Sequence, residues 1–362
     1  LFLPSLRGGG AERVMVDLAR GLLARGYPVD VVLPQVEGPY LDLVPPEVRV
    51  VDLRAGRVLA SLPALVRYLR REQPAALLAT LSHANVIALW ARRIAGVPTR
   101  VVVREANTLS VASRDGARLG DRFLPWLARQ FYGWADEIVA VSDGVARDLA
   151  AAAGLPPERV HVLHSPLVTP ELRVLAAEPV DHPWFGPGQP PVVLGVGRLA
   201  KQKDFATLLR AFAAVRSSRV ARLAILGEGE ERPALESLAR ELDIGADLWL
   251  PGYQRNPFKF MARAGIFVLS SLYEGSPGAL VQALACGAPV VATDCPSGPR
   301  EILGRAGAGD AGHLVPVGDS AAMAAAIEIT LTQPRRPIPA EVLAPFTLEV
   351  AVERYLGLLR AG

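Results

Sequence analysis

Short, strongly apolar runs recur along this chain, each followed by a stretch with helical periodicity, and that alternation limits the folds open to it. Ala76 to Thr80 (ALLAT), Arg100 to Val103 (RVVV), Ile138 to Val141 (IVAV) and Ile266 to Leu269 (IFVL) have too little polarity to leave a face in water. Val29 to Leu33 and Val48 to Leu53 join them as strand candidates. Strands separated by helices pair in parallel, because only a crossover returns the chain to the same end of the sheet. The intervening helices include Ala11 to Arg25, Ser61 to Arg71 and Ala84 to Ala95; the first carries Val14, Leu18, Leu22 and Leu23 at helical spacing. The pattern predicts an α/β protein with parallel sheets covered by helices on both faces.

The plan is used twice. Leu1 to Leu3 reads as a strand end, followed by Arg7-Gly8-Gly9-Gly10 and a helix; Pro191 to Val196 reads as a strand, followed by Gly197-Arg198-Leu199 and a helix over Asp204 to Val215. Between them Pro166 to Pro191 is rich in proline and poor in apolar runs, and reads as an interdomain linker. With 362 residues, 51 % of them hydrophobic, the chain has material for two buried cores.

The stretch Ser270 to Leu303 has the texture of a ligand loop between two strands. Tyr273-Glu274-Gly275-Ser276-Pro277 breaks the strand, Ser276 suits an N-cap, Pro277 a first helical turn and Gly287 a stop. Backbone N–H groups near 276 to 279 would then open toward the carboxyl end of the sheet, where phosphate or sugar oxygens are accommodated. Glu274 and, eight residues on, Gln282 can each accept hydrogen bonds from neighbouring hydroxyls. The bland alternative is a solvated loop acid and a surface glutamine.

Upstream, GVGRLAKQKDF sets Arg198 and Lys203 five residues apart beside a helix start, suited to neutralising a diphosphate, with surface ion pairing as the alternative. Gly227-Glu228-Gly229-Glu230 is another strand-to-helix turn, and Leu248 to Gly252 leads to Tyr253; these elements are candidates for a base-binding wall. In the first half His83, Glu105 and Asn107 follow strand ends, as a general base, as sugar ligands or as loop braces.

A net charge of +3 without a long basic run gives no case for nucleic acid. Of 39 basic residues only Lys201, Lys203 and Lys259 are lysine, leaving 36 arginines; a lysine kept against such a skew suggests a point-charge role. Cys286 and Cys295 lack metal-ligand spacing, so neither a disulfide scaffold nor a zinc site is expected, and a reducing compartment fits. No apolar run is long enough for a membrane-spanning helix. Residues 114–134 (RDGARLGDRFLPWLARQFYGW) interleave four arginines with five aromatic residues, which suits peripheral contact with anionic lipid or a mixed helix packed on its own domain.

As a set, GGGAERV, GVGRLAKQKDF, ILGEGEERPALESLARELDI, LPGY and YEGSPGALVQALACGAPVVATDCPSGPREIL resemble the retaining glycosyltransferases of family 4, which have the GT-B fold. The resemblance implies two facing Rossmann-like domains, 1–180 on the acceptor side and 181–340 binding the nucleotide sugar, with 341–362 a helix crossing back to the first. It implies that Arg198 and Lys203 hold the donor diphosphate, approached by Gly9 and Gly10 from the opposite domain, with Gly197 in the same loop. Glu274 then binds donor sugar hydroxyls within Gly275, Ser276, Pro277, Gly278, Ala279 and Leu280, and Glu228 and Tyr253 lie at the nucleotide. Gln282 stands where the family has a second glutamate, on the ribose.

The implied reaction moves a hexose-type sugar to a glycan or lipid-linked acceptor without a metal or other cofactor, from a UDP-sugar in preference to a GDP-sugar. Surface polysaccharide or glycolipid synthesis in a bacterium follows, in the cytoplasm at the inner face of the membrane. A nucleotide-sugar epimerase or hydrolase, or a non-catalytic sugar-binding protein, is the rival reading.

Overall fold

A computed structural model describes residues 1–115, 122–304 and 312–360. The chain divides into two compact units, Leu1–Pro166 with Phe346–Gly362, and Leu167–Pro345.

In the first unit the strands are β1 (Asp30–Leu33), β2 (Arg49–Asp52), β3 (Ala76–Thr80), β4 (Arg100–Glu105), β5 (Glu137–Ala140) and β6 (Val160–Val162). β1 pairs with β2, and β3, β4, β5 and β6 form a sheet in that order, all in parallel. Phe2 joins the two sheets by bridging Val32 and Ala79; its N–H donates to Leu78 O at 2.8 Å and its carbonyl accepts from Thr80 N at 3.2 Å. Strand residues Val32, Leu77, Val101, Val103 and Ile138 pack with Leu65, Leu69, Ile87, Leu89 and Leu149 of the covering helices in one core.

The helix Leu348–Arg360 belongs to this unit although the other unit lies between them in sequence. Arg25 pairs with its Glu353 at 2.7 Å, and Arg100 Nε donates to Leu358 O at 2.7 Å. The stronger constraint is Arg104, 1 % exposed. Its guanidinium donates to Tyr355 Oη at 3.0 Å, Thr80 Oγ1 at 3.0 Å and Ser165 Oγ at 2.7 Å. A buried cation needs such bonds, since water no longer solvates it.

The second unit contains β7 (Val192–Val196), β8 (Arg222–Leu226), β9 (Leu248–Gly252), β10 (Ile266–Leu269), β11 (Val290–Thr293) and β12 (Gly312–Val315). They form one sheet in the order β12-β11-β10-β7-β8-β9, parallel throughout. Because the chain winds from β7 toward β9 and from β10 toward β12, the loops leaving these two neighbours diverge and open a crevice at their carboxyl ends. Val193, Leu223, Ile225, Val268 and Val291 pack with Leu208, Phe212, Met323 and Ile327 beneath it.

The division between units falls at Pro166/Leu167 and Pro345/Phe346, whereas the sequence places it at 180/181 and 340/341. The proline-rich stretch is no bare linker. It contains the helix Pro170–Ala177 and the turn Pro183–Phe185, each with proline in its first turn, where a missing N–H costs nothing. Asn256 Nδ2 donates to Leu175 O at 2.8 Å, Arg263 Nη1 to Ala176 O at 3.1 Å, and the His182 ring stacks 3.9 Å from Trp249.

Tyr355→Phe orphans a buried donor of Arg104. We expect it to destabilise the first unit by about 1–3 kcal/mol, read as a lower urea midpoint with nucleotide affinity unchanged.

Candidate active site

Three loops wall the crevice of the second unit, leaving β7, β10 and β11. The loop after β7 turns through Lys201–Lys203, and Asp204 caps the helix Phe205–Ser218 by accepting from Thr207 N at 3.3 Å and Thr207 Oγ1 at 2.7 Å. That turn aims Lys203 across to the loop after β10. Its Nζ donates to Glu274 Oε1 at 2.5 Å, over 71 residues of sequence. Ser271 Oγ donates to the same oxygen at 2.7 Å. Glu274 is 6 % exposed, so removal of either partner would leave a charge in a poorly solvated place.

The loop backbones are tied together independently of that pair. Ser270 Oγ donates to Lys203 O at 2.6 Å, Gln202 Nε2 to Tyr273 O at 3.0 Å and Thr293 Oγ1 to Ser271 O at 2.6 Å. Leu272 N donates to Gln202 O at 2.8 Å. Gln202, Ser270 and Thr293 escaped the sequence reading because their partners are carbonyls on other loops, for which no local spacing exists. Such cross-loop bonds hold a site in one geometry before any ligand arrives.

The helix after Glu274 runs Gly278–Ala285 with Pro277 as its N-cap, later than the Ser276 cap expected. The loop after β11 accounts for the delay. Gly298 has φ 92°, and a Cβ there would overlap the Pro277 ring, so the two loops are in direct contact at the helix start. Gly275, Pro277 and Leu280 are buried; Ser276, Gly278, Ala279 and Gln282 are half-buried. Gln282 and the exposed Arg198 make no side-chain hydrogen bond among the described residues.

Arg198 is carried on a loop braced from β8. Gly197 N donates to Leu226 O at 3.0 Å and Leu199 N to Glu228 O at 2.8 Å. Gly227 passes so close that a Cβ would overlap the Gly197 carbonyl. The glycines of this turn therefore serve loop-on-loop packing. The Glu228 carboxylate pairs with Arg232 at 2.6 Å, which holds it below the usual carboxylate range. Tyr253, beyond β9, is exposed.

In the first unit Gly9 caps the helix Gly10–Ala24, and both Gly9 and Gly10 are exposed. The amides of Gly8 and Gly9 are taken by Glu12: Oε2 accepts from them at 2.8 and 2.5 Å, and Oε1 accepts from Ser5 Oγ at 2.6 Å. A glutamate three residues after an N-cap is a legible capping signal, and it was missed. The loop is thus ordered by its own carboxylate.

His83 and Asn107 are exposed, whereas Glu105 is 1 % exposed. Glu105 accepts from Ser82 Oγ at 3.0 Å, Asn85 Nδ2 at 2.9 Å and the Tyr132 hydroxyl. Burial pushes its carboxyl above the usual range despite those bonds. It braces the turn at Leu81, whose φ of 73° is costly for a non-glycine residue. Both cysteines are free, and burial pushes their thiols up to about 12, so neither is a thiolate at neutral pH. Among the described residues no three His, Cys, Asp or Glu side chains are grouped to hold a metal ion.

Residues 190–333 match the family described as Glycosyl transferases group 1, and residues 8–169 match Glycosyltransferase Family 4. Over 317 residues the chain is 31 % identical to the N-acetylgalactosamine-N,N'-diacetylbacillosaminyl-diphospho-undecaprenol 4-alpha-N-acetylgalactosaminyltransferase of Campylobacter jejuni, covering 84 % of this chain and 82 % of that one. It is 28 % identical over 373 residues to the lipopolysaccharide core biosynthesis glycosyltransferase LpsE of Rhizobium meliloti, covering 98 % and 96 %. Among solved structures, Anabaena HepE in complex with UDP and glucose matches with a TM-score of 0.80 at 20 % identity, over 100 % of this chain and 99 % of that one. The lipopolysaccharide outer core galactosyltransferase WaaB in its apo form matches with a TM-score of 0.72 at 18 % identity, over 99 % of each. At such identities these two matches speak for the fold.

Two expectations follow from the geometry. Gly298→Ala should displace Pro277 and the start of its helix, weakening nucleotide binding roughly 10-fold or more by calorimetry, on the scale of small misplacements at a site. Glu105 keeps its proton in the folded state at pH values where the unfolded chain has released it. Stability should therefore fall as pH rises from the ordinary value of 4.5 up to the raised one. Urea midpoints measured across that window should lose this slope in Glu105→Gln.

Proposed function

The chain belongs to the glycosyltransferases of group 1 and family 4, with the GT-B fold of its structural neighbours, and on that premise we propose a specific reaction. The protein transfers a hexose-type sugar from a nucleotide diphosphate sugar, UDP-linked in preference to GDP-linked, to a glycan or lipid-linked acceptor with retention of configuration. Bacterial surface polysaccharide or glycolipid assembly is the setting, as the names of the Campylobacter and Rhizobium relatives suggest.

The observation that carries this reading is the Lys203–Glu274 contact at the switch point of the second sheet. A donor sugar offers hydroxyls to the carboxylate and phosphate oxygens to the ammonium, and the two groups adjoin as sugar and phosphate do. Departure of the sugar leaves charge on the diphosphate, which Lys203 and the exposed, unengaged Arg198 stabilise as fixed cations. The acceptor proton passes to that diphosphate oxygen, so neither a protein base nor a metal is assigned a step. A nucleotide-sugar epimerase or hydrolase would need a base, and of the two candidates Glu105 is buried and already bonded.

Gln282 keeps the length and hydrogen-bonding capacity of glutamate without its charge. A bond to a charged acceptor is roughly twice as strong as a neutral one, so Gln282→Glu should tighten UDP binding, and an unchanged affinity would remove Gln282 from the nucleotide site. Arg198→Ala should lower turnover about 10²- to 10³-fold with an unchanged melting temperature, since the Arg198 side chain makes no hydrogen bond among the described residues. Nucleotide release from UDP-sugars, followed with and without lipid-linked acceptor and in the presence of EDTA, tests the whole reading. Activity abolished by EDTA, or release insensitive to every acceptor, would count against it.

A further inference from the structure

The first unit carries a surface that sugar transfer does not use. The helix Leu124–Phe131 and the turn Tyr132–Trp134 leave large aromatic side chains in solvent: Phe123 is 64 % exposed, Trp126 57 % and Trp134 41 %. These rings are contiguous. Trp126 and Trp134 both meet Phe131 edge-on, at 6.5 and 4.9 Å between centroids, and Phe131 is anchored edge-on to Trp90 at 5.2 Å. Phe123 lies three residues before Trp126, one turn away on the same face.

The helix Ser82–Ala95 extends the patch. Its Arg93 guanidinium lies 5.7 Å over the Trp134 ring, and the next residue, Ile94, is 52 % exposed. Arg122 and Arg129 are exposed as well, and residues 122–134 (RFLPWLARQFYGW) contain no acid. Of the arginine-rich segment singled out from sequence, residues 116–121 lie outside the described residues, and nothing here rests on them.

Grouped aromatic residues left in water mark a contact surface, whereas scattered ones do not. Here the partner chemistry is set by the rim. Tryptophan and phenylalanine rings favour the depth of lipid headgroups, and arginine stems extend along them while the guanidinium reaches phosphate. Positive charge without interspersed acid complements an anionic surface. Among the described residues no helix is long and apolar enough to cross a membrane, so the face would lie on a bilayer.

We infer that this face docks on an anionic bilayer, with Phe123, Trp126 and Trp134 in the headgroup layer and Arg93, Arg122 and Arg129 on lipid phosphates. The inference deepens the reading of a lipid-linked acceptor, but it concerns one unit's surface and is testable without catalysis. The full chain is incubated with vesicles of phosphatidylcholine alone or containing phosphatidylglycerol, and binding is followed by sedimentation and by tryptophan emission.

Binding to the anionic vesicles with a blue-shifted emission, weakened by salt, is expected. Phe123→Ala with Trp126→Ala should reduce partitioning at least ~10-fold, and Arg122→Gln with Arg129→Gln about 30-fold, at about fivefold per cation. All four side chains are exposed, so circular dichroism and UDP affinity should stay unchanged. Absence of vesicle binding, or binding indifferent to both variant pairs, would overturn the inference. Self-association lost in the aromatic variant without any vesicle binding would overturn it in favour of a protein contact. Loss of vesicle binding with UDP affinity and turnover on a water-soluble acceptor intact would leave the transferase reading standing and confirm the surface.

Discussion

In a parallel sheet that winds outward from two neighbouring strands, the loops leaving those strands must part. In the second unit that constraint falls between β7 and β10, and the arrangement of the site follows from it. Lys203 comes from one parting loop and Glu274 from the other, and they close the gap with an ion pair of low exposure. Such a pair gains little stability for its own sake, because desolvation offsets most of the attraction. Its consequence is geometric: charge of both signs is held at one spot, beneath loops whose carbonyls are already bonded to Ser270, Gln202 and Thr293.

The first unit solves a different problem with the same kind of interaction. A helix from the far end of the sequence has to return to a sheet it did not grow from, and apolar packing alone is non-directional. Arg104 supplies direction. Its fork reaches Thr80 on the neighbouring strand, Ser165 at the end of the continuous segment and Tyr355 on the returning helix, all neutral partners. Beside it Glu105 faces the opposite way, toward Ser82, Asn85 and Tyr132, and fixes the strained turn at Leu81. One strand end thus braces both the chain terminus and the turn that presents His83.

Strands were the most readable part of this chain. Ala76–Thr80 and Ile266–Leu269 are found at the bounds their apolar runs suggest and β1, β2, β4, β5 and β7 within a residue or two, whereas Leu1–Leu3 supplies only the Phe2 bridges and β6 and β12 had no counterpart in the reading. Prolines misled, since Pro170 and Pro183 start helical turns inside the segment read as a linker. Among the site residues the motif positions around Glu274 were visible as turn and cap chemistry, but their neighbours were not. Glu12 is an intermediate case, a capping glutamate whose spacing was legible and whose seizure of the Gly8 and Gly9 amides was not.

The sequence by itself determined the α/β class, the doubled plan and the residue types suited to a sugar diphosphate, because hydrophobic period and turn chemistry are local properties written every few residues. The order of strands, the meeting of Lys203 with a carboxylate 71 residues away and the withdrawal of Glu105 into a bonded interior were decided by tertiary structure alone. Those outcomes depend on which loops emerge side by side and which side chains lose water. Neither is encoded in the spacing of residues along a chain.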